Sequence, residues 1–388
     1  MLHDVVIAGA GPVGSTLALA LSSAGGDLDV VALDARKQGT VARGDRSLAL
    51  SHGSRLVYER LGVWSELSAQ TGAVTPITRI DISQRGGFGS AQLDAGEQGV
   101  PALGYVVSYH ALQTTLDRAL VRAGAQVQHE FLVERIVSTP AYACVSGRRD
   151  GALSEWTGRL AVAADGGSDV VEGIRRHHHD YGQVALVARV WPRDPHAGVA
   201  YERFTPEGPM ALLPEGDHYG LVWTTAPETA PALVASPDAE FLAQLQQRFG
   251  SRVCPLERVE ARRTFPLRLD VASALASRRT LLIGNAAQAL HPVAGQGFNL
   301  GVRDAWELAQ ELLVTPPDQI GAHDRTARFQ RRRRPDRWAG IAFTHGLLGA
   351  FGNDVALLRW PRGLALTMLD AIPPLKRSFT RAMLFGLR

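Results

Sequence analysis

Hydrophobic runs and a glycine-rich turn follow one another in a regular order near the amino terminus. An apolar run at 4–8 leads into glycines at 9–14, and apolar residues at 15–24 then recur at helical spacing. A second apolar run, at 29–33, ends on Asp34. Short continuous apolar runs are typical of buried strands, and the helical period between them is typical of an α-helix. The pattern therefore predicts a strand–helix–strand unit.

The glycine-rich turn has the spacing of a dinucleotide-binding loop. Gly9, Gly11 and Gly14 follow the first predicted strand, and Asp34 comes 20 residues after Gly14. In such a loop the glycines let the backbone approach a pyrophosphate at the positive end of the helix, and the acid binds ribose hydroxyls. Because strand, turn, helix and acid stand in the expected order, the pattern predicts a nucleotide site.

A second glycine-rich segment follows an apolar run at 281–283. It contains a glycine–asparagine pair, a loop with a proline, and a helix entrance, at Gly284, Asn285, Pro292, Gly295, Gln296 and Gly297. Glycines at a helix entrance let backbone N–H groups approach a flat or anionic ligand, toward which the positive end of the helix points. A tight connection without a ligand would have the same local pattern. The independent nucleotide motif favours the ligand.

The rest of the chain has two further kinds of pattern. Short runs of alternating apolar and polar residues, separated by turn residues, are typical of an antiparallel sheet, and beyond 325 apolar helical turns alternate with arginines. The predicted fold class is α/β. It comprises a Rossmann-like nucleotide-binding domain at 1–75, 101–178 and 271–325, an inserted antiparallel-sheet substrate domain at 76–100 and 179–270, and a carboxyl-terminal helical region at 326–388.

Composition narrows the function classes. The chain has 388 residues, is 45% hydrophobic and carries a net charge of +3, which describes an ordinary globular protein and does not indicate nucleic-acid binding. The only cysteines, Cys144 and Cys254, lack metal-ligand spacing, and the histidines at 177–179 would alternate sides of a strand, so no metal site is predicted. Few cysteines, no leader ahead of the first strand and no long apolar run favour a cytoplasmic protein.

Three ordered motifs resemble those of a known family. The stretch GNAAQALHPVAGQGFNLGVRD at 284–304 is similar to the flavin-binding segment of the class A flavoprotein monooxygenases, the group related to para-hydroxybenzoate hydroxylase. Asn285 stands where most of that class has aspartate, which brings the chain closest to the ubiquinone-biosynthesis hydroxylases. Asp165-Gly166, after an apolar strand, resembles the short motif that serves the flavin pyrophosphate. With the first glycine-rich turn, the resemblance covers nearly the whole chain.

The resemblance implies non-covalent FAD as the cofactor, with NAD(P)H and O2 as co-substrates. Arg46 would lie along the flavin diphosphate and ring edge. His110 stands where the family usually has arginine, which puts that contact in question because histidine lacks the permanent charge and the forked geometry. The residues expected to bind the cofactor are Gly9, Gly11, Pro12, Val13, Gly14, Asp34, Arg46, His110, Gln113, Asp165, Gly166, Gly284, Asn285, Pro292, Gly295, Gln296, Gly297 and Asn299.

The implied activity is hydroxylation of an aromatic ring. In this family FAD takes electrons from NAD(P)H and lets O2 give one oxygen atom to an electron-rich ring, so no catalytic side chain is predicted. The ubiquinone branch would act on a polyprenylated phenol. The predicted sheet would cover the flavin and line the substrate pocket with Phe204, Pro209 and Leu212. Each of these three residues fits a position in the hydrophobic core equally well.

Other functions are compatible with the glycine motifs. Hydroxylation of another aromatic compound, reduction of an isoprenoid double bond, and partner binding by a non-catalytic flavoprotein all stay open. A flavin-dependent halogenase is disfavoured, because the chain has no Gly-Trp pair. The oligomeric state also stays open, with a homo-oligomer as one option.

A prenylated substrate is insoluble in water, so the enzyme has to collect it from a membrane or a carrier protein. The basic run at 330–334 predicts a solvated helix face. The carboxyl-terminal region either packs onto the body of the protein or rests on the inner membrane face or on another quinone-pathway protein. The cations interleaved with its apolar residues are Arg359, Arg362, Lys376, Arg377, Arg381 and Arg388.

Overall fold

Two large β-sheets, one small sheet and a set of helices make up the described part of the chain. A computed structural model describes residues 1–25, 28–41, 46–167, 169–290, 295–351 and 356–386, without the side chains of 356–359. Its α-helices are α1 (Pro12–Ser22), α2 (His52–Arg60), α3 (Trp64–Ser68), α4 (Tyr109–Arg122), α5 (Ala230–Ala235), α6 (Asp238–Phe249), α7 (Gln296–Leu313), α8 (His323–Phe351), α9 (Ala356–Ala371) and α10 (Pro373–Phe385).

The strands follow in the same order along the chain. They are β1 (Leu2–Ala8), β2 (Val30–Leu33), β3 (Ser47–Ser51), β4 (Val74–Ile77), β5 (Arg79–Gln84), β6 (Ser90–Asp94), β7 (Gly104–Ser108), β8 (Gln126–Gln128), β9 (Phe131–Ser138), β10 (Ala143–Arg149), β11 (Ala152–Ala163), β12 (Arg176–Pro192), β13 (Val199–Thr205), β14 (Gly208–Glu215), β15 (His218–Thr225), β16 (Leu256–Ala272), β17 (Ala276–Ser277), β18 (Thr280–Leu282) and β19 (Gln288–Ala289). The small sheet is β3-β7-β4.

The first large sheet carries the strand–helix–strand unit. Its order is β17-β18-β11-β1-β2-β8, with β10 paired to β11 and β9 paired to β10, and β1 runs parallel to both β11 and β2. Because β18 is parallel to β11, the carboxyl ends of β2, β1, β11 and β18 lie side by side. Val5 and Ile7 pack in one hydrophobic core, and Val6 and Ala8 pack in another. Both faces of β1 are therefore covered, which explains its continuous apolar run.

The second large sheet is the antiparallel one expected from the alternating runs. Its order is β19-β16-β12-β15-β14-β13-β5-β6, and β5 runs parallel to β13. One face packs on α6 through a core that includes Leu186, Trp223 and Phe241. The predicted fold class, an α/β nucleotide domain with an inserted antiparallel sheet and carboxyl-terminal helices, is confirmed. The domain limits stay a prediction.

A buried ion network joins α8 to α7. Arg333, which is 3% exposed, donates from Nε to Asp304 Oδ1 at 2.7 Å, and its Nη1 lies 3.1 Å from Glu307 Oε1. Its Nη2 binds Asp336 Oδ2 at 2.7 Å. The prediction that the basic run at 330–334 forms a solvated helix face is therefore wrong for Arg333, because α8 turns this residue onto the acids of α7.

Arg337 extends the network to the backbone. Its Nη2 donates to the carbonyl oxygens of Ala272 and Ala287, the latter at 3.1 Å. Burial lowers the pKa of Arg337 to about 10, so the guanidinium stays charged at neutral pH. Burial alone would raise the pKa of Asp336, but Arg303 and the central arginine of the network hold it below its ordinary value. The network thus fixes α8 both to α7 and to the turn after β18.

The Arg333→Met variant tests this network. It should lower the free energy of unfolding by about 3–5 kcal/mol, since it leaves a buried carboxylate without its counter-charge. Arg334→Met, at the exposed neighbouring position, is the matched control and should change that free energy by less than about 0.5 kcal/mol. Urea unfolding followed by circular dichroism measures both. Small, equal changes in the two variants would contradict the structural role of the network.

Candidate functional site

A cavity of about 910 Å³ lies where the two large sheets and the carboxyl-terminal helices meet. One end is lined by the turns that follow the parallel strands, and these turns supply Gly9, Asp34, Asp165 and Gly284. The other end is lined by the second sheet and by α8, α9 and α10. The carboxyl edge of an open α/β sheet is where ligands bind in such folds. Four neighbouring strand ends thus bring the three sequence motifs together.

Close backbone contacts between the motifs explain several of the glycines. A Cβ on Gly9 would come within 2.6 Å of the Ala164 carbonyl oxygen, at the end of β11. A Cβ on Gly14 would come within 1.9 Å of the Gly9 carbonyl oxygen. Gly301 of α7 is also crowded, since its Cβ would lie 2.9 Å from a methyl of Val13. These glycines let one motif pack directly on another.

Gly11 and Gly166 are not crowded by protein atoms, although Gly166, with φ of 91°, also needs glycine for its backbone conformation. A Cβ at either position would meet no protein atom within 4 Å, and both residues line the cavity. Gly11 is the N-cap of α1 and is followed by Pro12 and Val13, which also line the cavity. An anion can therefore approach bare backbone at the positive end of α1. The residues present fit the pyrophosphate of a dinucleotide.

Asp34 is held in place by Arg36, a residue that the sequence patterns did not single out. Arg36 Nε donates to Asp34 Oδ2 at 2.9 Å, and Nη2 of the same guanidinium donates to the Ala10 carbonyl oxygen at 2.9 Å. Burial opposes the charge, but Asp34 and Asp117 raise the pKa of Arg36. A carboxylate has about four acceptor sites, so Asp34 keeps capacity for ribose hydroxyls. The only sequence signal for Arg36 was its position two residues after the acid.

Arg46 and Tyr109 form a pair on the cavity wall. The guanidinium carbon of Arg46 lies 4.2 Å from the centre of the Tyr109 ring, and both residues line the cavity. His110 is exposed and does not line it. Neighbouring residues of a helix point in directions about 100° apart, so Tyr109 and His110, in the first turn of α4, cannot both face the cavity. Tyr109, which sequence reasoning missed, therefore lines the cavity in place of His110, and the cofactor contact itself stays a prediction.

Two glutamines proposed as cofactor ligands contact other parts of the protein and do not line the cavity. Gln113 is fully buried, and its Nε2 donates to the Ala10 carbonyl oxygen at 3.1 Å and to Asp117 Oδ1 at 2.7 Å. It therefore positions the first glycine-rich turn. Gln296, at the start of α7, donates to Met383 Sδ at 3.6 Å and so links α7 to α10.

Asn299 is also occupied by protein contacts. Its Nδ2 donates to the carbonyl oxygens of Ala49 at 2.9 Å and Gly295 at 2.8 Å. Its Oδ1 accepts from the backbone N–H of Ser51 at 2.8 Å and from the Ser54 hydroxyl at 2.7 Å. The side chain is buried. Asn299 therefore holds the entrance of α7 against β3, and it supports the ligand-binding loop from behind.

The loop after β18 supplies backbone to the cavity. Gly284, Asn285, Gly295 and Gly297 line it, whereas Pro292 lies outside the described residues. Gly295 has φ of 59°, in the left-handed region, and a Cβ there would lie 2.9 Å from a neighbouring side chain. At Gly297 the nearest protein atom would be 3.7 Å away, which is ordinary contact. Gly295 is thus required by the fold, and Gly297 leaves room for a ligand.

Of the three residues predicted to line the substrate pocket, two line the cavity and one does not. Phe204 and Pro209 line the cavity, and Phe204 stacks on Phe351 of α8 with ring centres 4.3 Å apart. Leu212 does not line it and is buried in the core beneath the sheet. Successive strand residues point to opposite faces, so Ala211 and Leu213 line the cavity in its place.

The end of the cavity away from the nucleotide motifs is apolar. From the second sheet it receives Ile80, Ile82 and Leu93. The carboxyl-terminal helices contribute a further apolar set, namely Phe343, Leu347, Phe351, Ala365, Leu366, Leu369, Phe379 and Met383. The cavity therefore offers backbone donors and charged groups at one end and a hydrocarbon surface at the other.

A family comparison agrees with this geometry. A model of the FAD binding domain matches residues 3–343. The chain belongs to this FAD-binding family. FAD is accordingly its cofactor, as the resemblance of the three motifs implied.

Individual relatives cover almost the whole chain. Ubiquinone hydroxylase UbiL of Rhodospirillum rubrum is 33% identical over 395 residues, which span 97% of this chain and 88% of that protein. The 3-demethoxyubiquinol 3-hydroxylase of Escherichia coli K12 is 29% identical over 396 residues, 96% of each chain. Among solved structures, p-nitrophenol 4-monooxygenase PnpA from Pseudomonas putida DLL-E4 is similar with a TM-score of 0.79, over 100% of this chain and 99% of that chain. At 18% identity this last likeness shows the fold alone.

The Gly11→Ala variant tests the pyrophosphate position. The added methyl meets no protein atom within 4 Å, so the variant should fold, yet it should bind FAD about 1–3 kcal/mol more weakly because the methyl intrudes on the ligand. Gly346→Ala, exposed on α8 with the same open surroundings, is the matched control. Circular dichroism reports the fold, and the flavin released on denaturation gives the FAD content. Normal FAD affinity in Gly11→Ala would place the pyrophosphate elsewhere.

Proposed function

We propose that this protein is an FAD-dependent, NAD(P)H-using monooxygenase that hydroxylates the aromatic ring of a polyprenylated phenol in ubiquinone biosynthesis. The observation that carries the proposal is the single cavity with two chemically different ends. A ring with an isoprenoid tail needs a nucleotide-bound cofactor beside the ring and hydrocarbon around the tail. The printed names of two relatives, ubiquinone hydroxylase and 3-demethoxyubiquinol 3-hydroxylase, support the same substrate class.

The side chains and backbone of this chain would bind and orient the reactants. FAD, when bound, would supply the chemistry by which electrons from NAD(P)H activate O2, so that one oxygen atom enters the ring and the other leaves as water. Backbone N–H groups at Gly11 and Gly166 would hold the pyrophosphate, and the positive end of α7 would stabilise negative charge nearby. Phe204 and Pro209, on the opposite wall, would hold the substrate ring and keep water away from it.

The isoprenoid tail would lie along the carboxyl-terminal helices. Leu347 and Phe351 of α8 and Leu366 and Leu369 of α9 line this part of the cavity. Burial of apolar surface contributes about 25 cal/mol per Å², so each isoprene unit adds appreciable binding free energy. The helices would therefore select phenols with a tail over small phenols.

Turnover with ortho-geranylphenol tests the proposed function. The FAD-loaded enzyme should consume NAD(P)H and O2 in equal amounts and form a product with one additional oxygen, measured with an oxygen electrode and mass spectrometry. Phenol itself should have kcat/KM lower by tenfold or more, since each buried CH2 group contributes about 0.8 kcal/mol. A double-bond reductase would instead oxidise NAD(P)H without O2 and add two hydrogens. No NAD(P)H oxidation with any phenol would indicate a non-catalytic flavoprotein.

Two leucines of α9, one lining the cavity and one exposed, test whether the isoprenoid tail binds inside the cavity. Leu366 is 6% exposed and lines the cavity, whereas Leu364 is 54% exposed. Leu366→Asn should remove most of the preference for ortho-geranylphenol over phenol, and Leu364→Asn should leave it unchanged in a detergent-free assay. The opposite ranking would place the tail outside the cavity.

We also propose that α9 brings the protein to a lipid surface. Trp360, Leu364 and Met368 are 74%, 54% and 44% exposed, and their four-residue spacing puts them on one side of the helix. Ile372 and Leu375 continue the exposed apolar stripe. No helix within the described ranges is both long and apolar enough to cross a bilayer. A stripe of this kind fits a helix that lies in the plane of a membrane surface.

The cations expected to strengthen this contact are fewer than the sequence indicated. Arg362 is buried, and Lys376 is buried with its Nζ 3.0 Å from Glu97 Oε2. Arg377 and Arg381 are exposed, while the side chains of Arg359 and Arg388 lie outside the described part of the chain. The apolar stripe would therefore contribute more to membrane binding than the exposed charges do.

Co-sedimentation with lipid vesicles tests the α9 stripe. A Leu364→Gln, Met368→Gln double variant should bind vesicles more weakly by tenfold or more, because burying a leucine or methionine contributes about 1.5–3 kcal/mol. Leu153→Gln, at an exposed leucine on β11, is the control. Anionic lipid should strengthen wild-type binding by about 30-fold, at about 1 kcal/mol for each of the two exposed arginines, and salt should remove this increment. Negligible binding by every form would leave the stripe as a protein-docking surface.

A further inference from the structure

Arg176 connects the second large sheet to the turn that follows β18. It is the first residue of β12, and its side chain is 4% exposed. Its Nη2 donates to the carbonyl oxygen of Asn285 at 3.1 Å, and its Nη1 donates to the carbonyl oxygen of Ala286. Asn285 lines the nucleotide end of the cavity. A side chain of the second sheet therefore holds the backbone of a cofactor motif through its carbonyl groups.

The same guanidinium lies against the Asp165-Gly166 motif. A Cβ on Gly167, the next residue, would lie 3.3 Å from Nη2 of Arg176 and 3.1 Å from the carbonyl oxygen of Asn285. Both distances are shorter than ordinary van der Waals contact. Two of the three cofactor motifs and the first residue of β12 thus meet at one side chain.

The positive charge of Arg176 is balanced by carbonyl dipoles more than by acids. In the part of the chain that the structure describes, Asp169 is the one carboxylate within salt-bridge distance, 3.8 Å from Nε, and its side chain is 69% exposed. An exposed partner of this kind contributes little. Nε itself makes no hydrogen bond to any described residue. Because a charge in a low-dielectric interior acts over a longer range than one in water, the field of Arg176 reaches the adjoining turn and cavity.

Arg337 adds a second positive charge at the same turn. Its Nη2 donates to the carbonyl oxygen of Ala287 at 3.1 Å, so two arginines bind the carbonyl groups of residues 285–287. Burial lowers the pKa of Arg337, Asp304 opposes this shift, and the positive charge of Arg176 lowers the pKa further. FAD has an anionic pyrophosphate and gains negative charge when it is reduced. The turn thus has positive charge on the side away from the ligand, where it favours an anion in the cavity.

We propose that Arg176 is a positioning residue for FAD, which holds the Asn285 turn against the Asp165-Gly166 motif, and that its charge stabilises reduced FAD relative to oxidised FAD. The positioning role needs the forked guanidinium, because two carbonyl groups are bound at once. The electrostatic role needs only the charge, and it raises the midpoint reduction potential of the bound cofactor. Lysine retains the charge and lacks the fork, so the two roles can be separated. The proposal concerns the cofactor and does not depend on the identity of the substrate.

The affinity for FAD and the midpoint potential of bound FAD, measured separately, test the two roles. Fluorescence titration of the full chain with FAD gives the affinity, and equilibration of the FAD-loaded enzyme with a reference dye gives the potential. Arg176→Met should bind oxidised FAD about tenfold more weakly, since two carbonyl groups lose their donor. It should bind reduced FAD about tenfold more weakly still, which lowers the midpoint potential by about 30 mV.

Two further variants separate the charge from the fork. Arg176→Lys should bind oxidised FAD about three- to tenfold more weakly, because one ammonium group cannot bind both carbonyl oxygens in the same geometry, and it should keep the wild-type potential. Arg175→Met, at the exposed neighbouring position, is the matched control and should change neither quantity. Circular dichroism shows whether each variant folds.

Each role can be overturned separately. Wild-type affinity for FAD in Arg176→Met contradicts the positioning role. Equal weakening of oxidised and reduced FAD, which leaves the potential unchanged, would show that Arg176 acts on the structure alone and overturns the electrostatic role. If Arg176→Met does not fold, Arg176→Lys decides the outcome. Wild-type affinity in Arg176→Lys would overturn the positioning role, and a lowered potential despite the retained charge would overturn the electrostatic one.

Discussion

Backbone contact between three glycine-bearing segments is the constraint on which the rest of this structure depends. The carboxyl ends of β1, β11 and β18 are neighbours, and the segments that follow them approach closer than side chains would allow. Gly9 lies against Ala164, and Gly301 lies against Val13. Larger residues at these glycines would separate the strand ends. The concave surface that receives FAD exists only while the three segments stay in contact.

The carboxyl-terminal helices complete this surface and are held to it by charge. Arg333 and Arg337 of α8 connect the acids of α7 with the backbone of β16 and of the turn after β18. Buried charges of this kind are tolerable only because each meets an opposite charge or a carbonyl oxygen. Since α7 begins at the cofactor loop and α8 leads to the apolar wall, the network sets the position of the hydrocarbon end relative to the nucleotide end. The nucleotide end and the hydrocarbon end of the cavity thus share one structural support.

The two ends of the cavity account for the proposed chemistry without a catalytic side chain from the nucleotide domain. Bare backbone at Gly11 and Gly166 suits a pyrophosphate, and apolar side chains on α8, α9 and α10 suit an isoprenoid chain. In the proposed function the aromatic ring would lie between these two ends, against the second large sheet. The second sheet would then bind the ring, and the carboxyl-terminal helices would select the class of substrate.

The sequence by itself determined the strand–helix–strand unit, the antiparallel insert and the α/β class, because glycine spacing and hydrophobic period are local properties of the chain. The FAD family was indicated by the resemblance of three motifs. Only the tertiary structure decided which side chains face the ligand. Tyr109 lines the cavity and His110 does not, Leu212 lies in the core, and Asn299 supports a loop. Arg333 became buried for the same reason. The direction of a side chain depends on which distant segments pack around it, and the local sequence pattern does not specify those contacts.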